Sequence, residues 1–207
     1  MKLQKMKITS KSIKNKTTFV ATLILLSMWL ILPSTLTNSY HLHLLFMVTI
    51  YACLSLSLNI AVEVAGLPNM AHATFFGIGA YTAALFALHF STPFYITILL
   101  AGIVSLFFGL LIGVPTLRLK GFYLSLATLS FGQSIRAAEI NWYSLTRGAM
   151  GLTDIPGAKI GNYTFVIRDY IYYTLALLAL IYYVSYRLIK SKTGRAMFAV
   201  KSDDIVA

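Results

Sequence analysis

The stretch PFYITILLAGIVSLFFGLLIGVPTL, residues 93–117, holds no charged side chain. About 20 predominantly apolar residues, coiled as a helix, span the roughly 30 Å hydrocarbon layer of a bilayer, so this stretch alone is long enough to cross. Outward from it the pattern persists: residues 17–117 contain one charge, Glu63. A water-soluble domain could not keep its surface wet with so few polar groups. Apolar residues make up 58% of the 207-residue chain and charged ones 11%, against about 25% charged in soluble domains. The composition specifies an all-α, polytopic integral membrane protein.

About six transmembrane helices can be drawn. The first runs from about Thr18 to Leu32 and stops at Pro33; the second runs from His41 to about Val62 and ends at Glu63. A Gly66-Leu67-Pro68-Asn69 break follows, because Gly and Pro end helices and Pro restricts the residue before it. The third runs from about Met70 to Phe90, and the fourth opens at Pro93, suited to a first helical turn, and lasts to about Leu117. The fifth covers Gly121 to about Trp142 and the sixth about Tyr170 to Tyr186.

The net charge of +11 is not spread as a nucleic-acid surface would need. Six lysines lie within Met1–Lys16, Arg118 and Lys120 form a second block, and Arg187, Lys190, Lys192, Arg195 and Lys201 a third. Lys and Arg flanking spans favour the cytoplasmic side, so both termini are expected there, in a plasma (inner) membrane. Residues 1–16 then form a basic cytoplasmic tail, 17–190 the transmembrane domain and 191–207 a cytoplasmic segment. The lysine-rich start could also open a signal peptide, but no small-x-small cleavage site follows and an uncleaved first helix is the preferred reading. Tyr40, Trp142, Tyr143, Tyr170, Tyr172, Tyr173 and Tyr186 sit near span ends, as an aromatic belt requires. Cys53, the single cysteine, lies in an apolar run and can form no internal disulfide.

On the third segment the small residues Ala73, Gly77, Ala80 and Ala84, with Gly79 beside them, make a stripe along which another helix can approach. Gly109 and Gly113 place a GxxxG on the fourth. Glu63 and His72 flank the Gly-Pro break, and helix ends at such breaks often face a substrate; the alternative is an interfacial Glu63 and a His72 bonded to neighbouring backbone. No second His or carboxylate stands at metal-ligand spacing from His72, so no metal site is expected. Arg136 and Glu139 are three apart on one helical face and either pair within the membrane or snorkel to its surface. Residues 146–156 are punctuated for a folded turn. There is no GxxxxGK[ST] and no Ser/His/Asp or Cys/His set, so no catalytic residue and no cofactor is expected in the chain itself.

Four ordered blocks carry a resemblance. They are Gly66-Leu-Pro…His72-Ala…Phe75-Phe-Gly-Ile-Gly-Ala-Tyr81; Leu119-Lys-Gly-Phe-Tyr123…Thr128-Leu…Phe131-Gly; Asn141-Trp…Leu145-Thr-Arg-Gly…Gly151-Leu-Thr-Asp-Ile-Pro156; and Ser191-Lys-Thr-Gly-Arg-Ala196…Ala199-Val-Lys…Asp203-Asp204. Over residues 63–207 the chain resembles the permease subunits of branched-chain amino acid ABC transporters, and most closely the M-type member of the two-permease pair. The resemblance implies a non-catalytic pore subunit of an ATP-driven importer of leucine, isoleucine and valine. Its implied partners are a second permease, two ATP-binding cassette subunits that hold the ATP, an extracytoplasmic substrate-binding protein, and the membrane lipid around this chain. It also implies that residues 191–207 couple to the ATPase, through Gly194, Arg195, Ala196, Asp203 and Asp204. A zwitterionic cargo needs polar partners along the pathway, and Asn59, His72, Thr82 and Thr128 are the candidates. Gln133 stands where relatives usually carry Glu, and Asn69-Met70-Ala71 replaces Ser-Leu-Gly before His72. The family continues with further spans beyond Ala207, so the chain reads as C-terminally truncated. Alternatives are a related permease for urea or short amides, and a proton-coupled secondary transporter using Glu63, Arg136 and Glu139.

Overall fold

The computed structural model describes residues 32–64, 66–90, 92–116, 118–119, 121–160, 163–192 and 194–197. Most of the first expected span lies outside the described residues, and only its end can be compared. Residues 32–35 are helical, with the Leu36 amide donating to Leu32 O at 3.2 Å. The described backbone is therefore helical across Pro33, where the sequence predicts a stop; Pro33 stands in the first turn of these four residues, a position proline tolerates.

Helix α1, Ser39–Asn59, opens where the Asn38 side chain accepts the Tyr40 N–H at 2.9 Å. It widens at its far end into a π-helical turn, Ile60–Val64. Helices α2 (His72–Phe90), α3 (Phe94–Thr116) and α4 (Phe122–Asn141) follow, then the single turn α5 (Tyr143–Thr146), a 3-10 turn at Gly148–Met150, and a two-stranded antiparallel ribbon. The ribbon pairs β1 (Lys159–Ile160) with β2 (Tyr163–Thr164), Lys159 opposite Thr164. Helix α6, Ile167–Lys190, closes the bundle.

Four of these are long and apolar enough to cross a membrane: Ser39–Val64, His72–Phe90, Phe94–Thr116 and Ile167–Lys190. The expected fifth span does form a helix, α4, but Ser125, Ser130, Gln133, Ser134, Arg136 and Glu139 make it more polar than the rest. The protein is thus an all-α polytopic membrane protein, with four such spans among the described residues.

Two helix pairs build the bundle. Helices α1 and α6 pack along one another around buried Leu42, Leu45 and Ile171, with Phe46 and Leu175 against them. Farther along, the Cys53 thiol lies against Thr174 O at 3.7 Å. Helices α2 and α3 form an antiparallel hairpin, and α4 lies beside α2. The pairs meet at the ribbon end, where Phe165 stacks on Tyr173 at 5.1 Å between ring centroids and meets Phe94 edge-on, also at 5.1 Å. Offset and edge contacts of this kind suit the ring quadrupole.

The outward face of α3 is apolar. Ile103, Leu106, Phe107, Leu110 and Val114 of α3 are all more than half exposed. In water such a surface would cost about 25 cal/mol for each Å²; in lipid it is the surface the helix needs.

Candidate functional site

The break between α1 and α2 is built from both of its ends. The wide turn at 60–64 breaks the regular helical ladder, and the Leu67 amide reaches back to Ala61 O at 3.0 Å. Gly66 turns the chain with φ +69°, a conformation glycine adopts without steric penalty. Asn69 Oδ1 then accepts the Ala71 N–H at 3.0 Å, a side-chain turn that starts α2. Val64 and Ala71, on either side, are buried.

Two side-chain bonds pin this loop to the neighbouring helices. Thr128 of α4 accepts the Met70 N–H at 3.2 Å while its own proton goes to carbonyls of its own helix, at Leu124 (3.0 Å) or Ser125 (2.9 Å). His72 Nε2 lies 2.9 Å from Ser57 Oγ on α1. The Ser57 hydroxyl also lies 2.9 Å from Leu54 O, so either the imidazole donates from Nε2 while Ser57 bonds Leu54, or Ser57 donates to an unprotonated Nε2, according to the tautomer.

Of the four pathway candidates, His72 opens α2 and Thr128 of α4 meets Met70 two residues before it, so both lie at the α2 end of the loop. Asn59 donates to Glu63 Oε2 at 2.5 Å, inside the wide turn. Thr82 lies on α2 about 15 Å farther along, with its hydroxyl on Ile78 O at 2.7 Å. Sequence reasoning missed Ser57, because nothing local marks a hydroxyl that meets a histidine across a chain break.

Arg136 and Glu139 do not pair: no ion pair joins them among the described residues. Arg136 is exposed, while Glu139 turns toward α2, where a Cβ at Gly77 would lie 3.4 Å from its Oε1. One helical turn separates the two side chains, and they leave the helix toward different surroundings.

The glycines divide likewise. A Cβ at Gly79 would lie 3.1 Å from Ser105 Oγ, whose proton goes to Phe75 O at 3.2 Å, so α2 and α3 are close here. Gly132 of α4 makes the tightest helix approach: a Cβ there would sit 2.9 Å from Thr74 Oγ1. Gly109 and Gly113, expected to pack, have nothing within 4 Å of an added Cβ. They lie on the half-buried side of α3 that also carries Ser105, yet no other described helix comes that close to them.

Between α4 and α6 the chain folds back on itself as the punctuation predicts. Thr146 donates to Glu139 O or Trp142 O, at 2.6 and 2.8 Å, and accepts the Gly148 N–H at 3.2 Å. Arg147, itself at φ +58°, reaches Thr153 Oγ1 at 3.0 Å. Tyr170 accepts the Ala158 N–H at 2.9 Å, and Asp169 Oδ2 accepts both the Val166 N–H at 2.9 Å and the Tyr163 hydroxyl at 3.0 Å. That bond and the carboxylate charge hold the Tyr163 proton on, raising its pKa above the usual tyrosine value.

At the other end of α6, Lys190 stands over the Tyr186 ring at 4.1 Å and Arg187 over Tyr183 at 5.8 Å. The helix stops at Ser191, which turns extended (φ −73°, ψ 167°). The backbone is helical again at Lys192 and at residues 194–197. Ser191 Oγ donates to Leu188 O at 2.7 Å and accepts the Gly194 N–H at 3.0 Å, while the Arg195 N–H bonds Ser191 O at 3.2 Å. Gly194 is buried against the preceding helix. A Cβ there would overlap Leu188 O and stand 3.0 Å from Ile189 O. Arg195 and Ala196 are exposed, and Asp203 and Asp204 lie outside the described residues. The sequence places Ser191 at the head of the fourth block without giving it a capping role, although a Ser between two helices is a start signal.

The described residues thus define a multi-span helical membrane protein with a pinned chain break and a basic helical elbow after its last span. The family described as "Branched-chain amino acid transport system / permease component" matches residues 40–207. The chain is 34% identical over 184 residues to the high-affinity branched-chain amino acid transport system permease protein LivM of Salmonella typhimurium, covering 77% of this chain and 43% of that protein. To the protein of the same name from Escherichia coli it is 30% identical over 223 residues, covering 96% of this chain and 51% of that protein. The chain belongs to this family of permease components. It spans about half the length of these curated relatives. No solved structure matches it.

Proposed function

We propose that the chain is the pore-forming part of an ATP-driven importer that carries leucine, isoleucine and valine across the plasma membrane. The observation that carries this reading is the match to the permease family over residues 40–207, which includes every helix from α1 onward. ATP is hydrolysed on two separate cassette subunits, a second permease completes the pore, and an extracytoplasmic protein delivers the cargo. Both termini face the cytoplasm, which agrees with the basic residues at the end of α6. In this orientation the ribbon and the 143–166 segment face outward. Residues 191–207 meet the ATPase, with Gly194, Arg195 and Ala196 at the contact and Asp203 and Asp204 beyond it. His72, Asn59, Thr82 and Thr128 supply polar groups along the path.

The test is uptake of labelled leucine in cells with and without this gene. Deletion should abolish high-affinity uptake and the restored gene return it. Unlabelled isoleucine and valine should compete and urea should not. Arsenate, which depletes ATP, should stop uptake. Competition by urea would reassign the cargo to small amides. Uptake that outlasts ATP depletion but collapses with a protonophore would make the protein a secondary carrier.

A further inference from the structure

One side chain bridges the joint between α6 and residues 194–197, beside the backbone bond from the Arg195 N–H to Ser191 O. The last four carbonyls of a helix and the first four N–H groups of the next have no partners of their own, and where water supplies them the joint is free to bend. Here the Ser191 hydroxyl serves both sides, its proton on Leu188 O and a lone pair on the Gly194 N–H. We propose that Ser191 is a positioning residue that locks the angle between α6 and the following helical segment, so that displacement of that segment is delivered to α6 instead of being absorbed at the joint.

Three further observations support the lock. Leu188 O also accepts the Ser191 N–H at 3.0 Å, so backbone and side chain of one residue converge on one oxygen. Gly194 lies against that same oxygen with no room for a Cβ, so the joint cannot close further. Helix α6 is itself fastened: Ile171 is fully buried against Leu42 and Leu45, and Cys53 meets Thr174 O. Whatever turns α6 therefore turns α1, and α1 leads directly into the break at 60–71. The transmission role rests on the importer reading above; the lock itself does not.

Two measurements separate these. Spin labels at the exposed positions Tyr182 and Arg195 report the angle without reference to transport. The wild type should give a narrow distance distribution and Ser191→Ala a broad one; an unchanged distribution overturns the lock. In proteoliposomes holding the assembled transporter, leucine uptake and ATP hydrolysis are measured on the same vesicles. Ser191→Ala should lower leucine moved per ATP about fivefold, the factor that loss of an N-cap worth about 1 kcal/mol implies. Ser191→Asn, which can accept and donate, should restore the ratio. A role confined to stability would reduce the amount of transporter and leave the ratio alone, and that result overturns the proposal. If Ser191→Ala fails to assemble, Ser191→Asp decides: it keeps the bond from Gly194 and loses the one to Leu188 O, and an unchanged ratio with an unchanged distribution overturns the proposal. Absence of ATP-dependent uptake by the wild type would overturn the importer reading, with the spin-label result still deciding the lock.

Discussion

Gly132→Ala should destabilise the protein, and the same substitution should stabilise it once Thr74 is also alanine. The added methyl would lie 2.9 Å from Thr74 Oγ1 and 3.9 Å from the Ala71 α-carbon. The second distance is ordinary contact, so the whole conflict is with one side-chain oxygen. Thr74 is β-branched and stiff at χ1, so relief comes from separating the helices, at about 1–3 kcal/mol. Against this, alanine in a helix interior gains about 0.8–1.0 kcal/mol over glycine. The single substitution should therefore cost about 1 kcal/mol. With Thr74→Ala the conflict disappears, the propensity gain stands alone, and the sign reverses. A double-mutant cycle in detergent, followed by circular dichroism through a denaturation series, should give a coupling of about 2 kcal/mol, well above the roughly 0.5 kcal/mol scatter of independent sites. Equal effects in both backgrounds would mean that α2 and α4 do not meet at Gly132, and the packing described here would be refuted.

Two further outcomes follow from the geometry. Gly109→Ala and Gly113→Ala meet no neighbouring atom, so each should leave the isolated chain unchanged or up to about 1 kcal/mol more stable in the same denaturation assay; a cost above that size would place a helix of this chain against them. Tyr163, its pKa raised by Asp169, contributes stability that is complete below the ordinary tyrosine pKa and lost as pH rises through the raised one. The phenolate absorbance difference between wild type and Tyr163→Phe should titrate lower in an Asp169→Asn background, and an unmoved titration would remove the Tyr163–Asp169 bond from the account.

The helices were legible because a bilayer demands long apolar runs and the chain punctuates them with Gly, Pro and polar residues. The expected segments at 41–62, 70–90, 93–117 and 121–142 agree closely with α1 to α4. Helix α6 continues through Arg187 to Lys190, beyond the expected end at Tyr186, because long basic side chains can stay helical while lying back along neighbouring rings. Contacts were not legible. Thr128 meets Met70 and Ser105 meets Phe75 across 58 and 30 residues of sequence, and no local pattern names such partners. The GxxxG of α3 shows the converse: small residues at helical spacing allow close approach without stating whether a neighbour in this chain uses it. The Arg136/Glu139 spacing allowed a pair, yet Glu139 is turned to α2.

The buried share of the four spanning helices is small, from 6% along α3 to 17% along α1. For this protein the usual link between exposure and tolerance is inverted. Leu106, 62% exposed, would accept almost any greasy replacement, since lipid fills whatever shape is left. A lysine there would cost about 2.5–3.5 kcal/mol near mid-bilayer, more than many cavities in a soluble core. The half-hidden polar positions around Ser57, His72 and Thr128 are where hydrogen-bonding side chains are at home. A substitution map of this chain should therefore look like that of a water-soluble protein turned inside out.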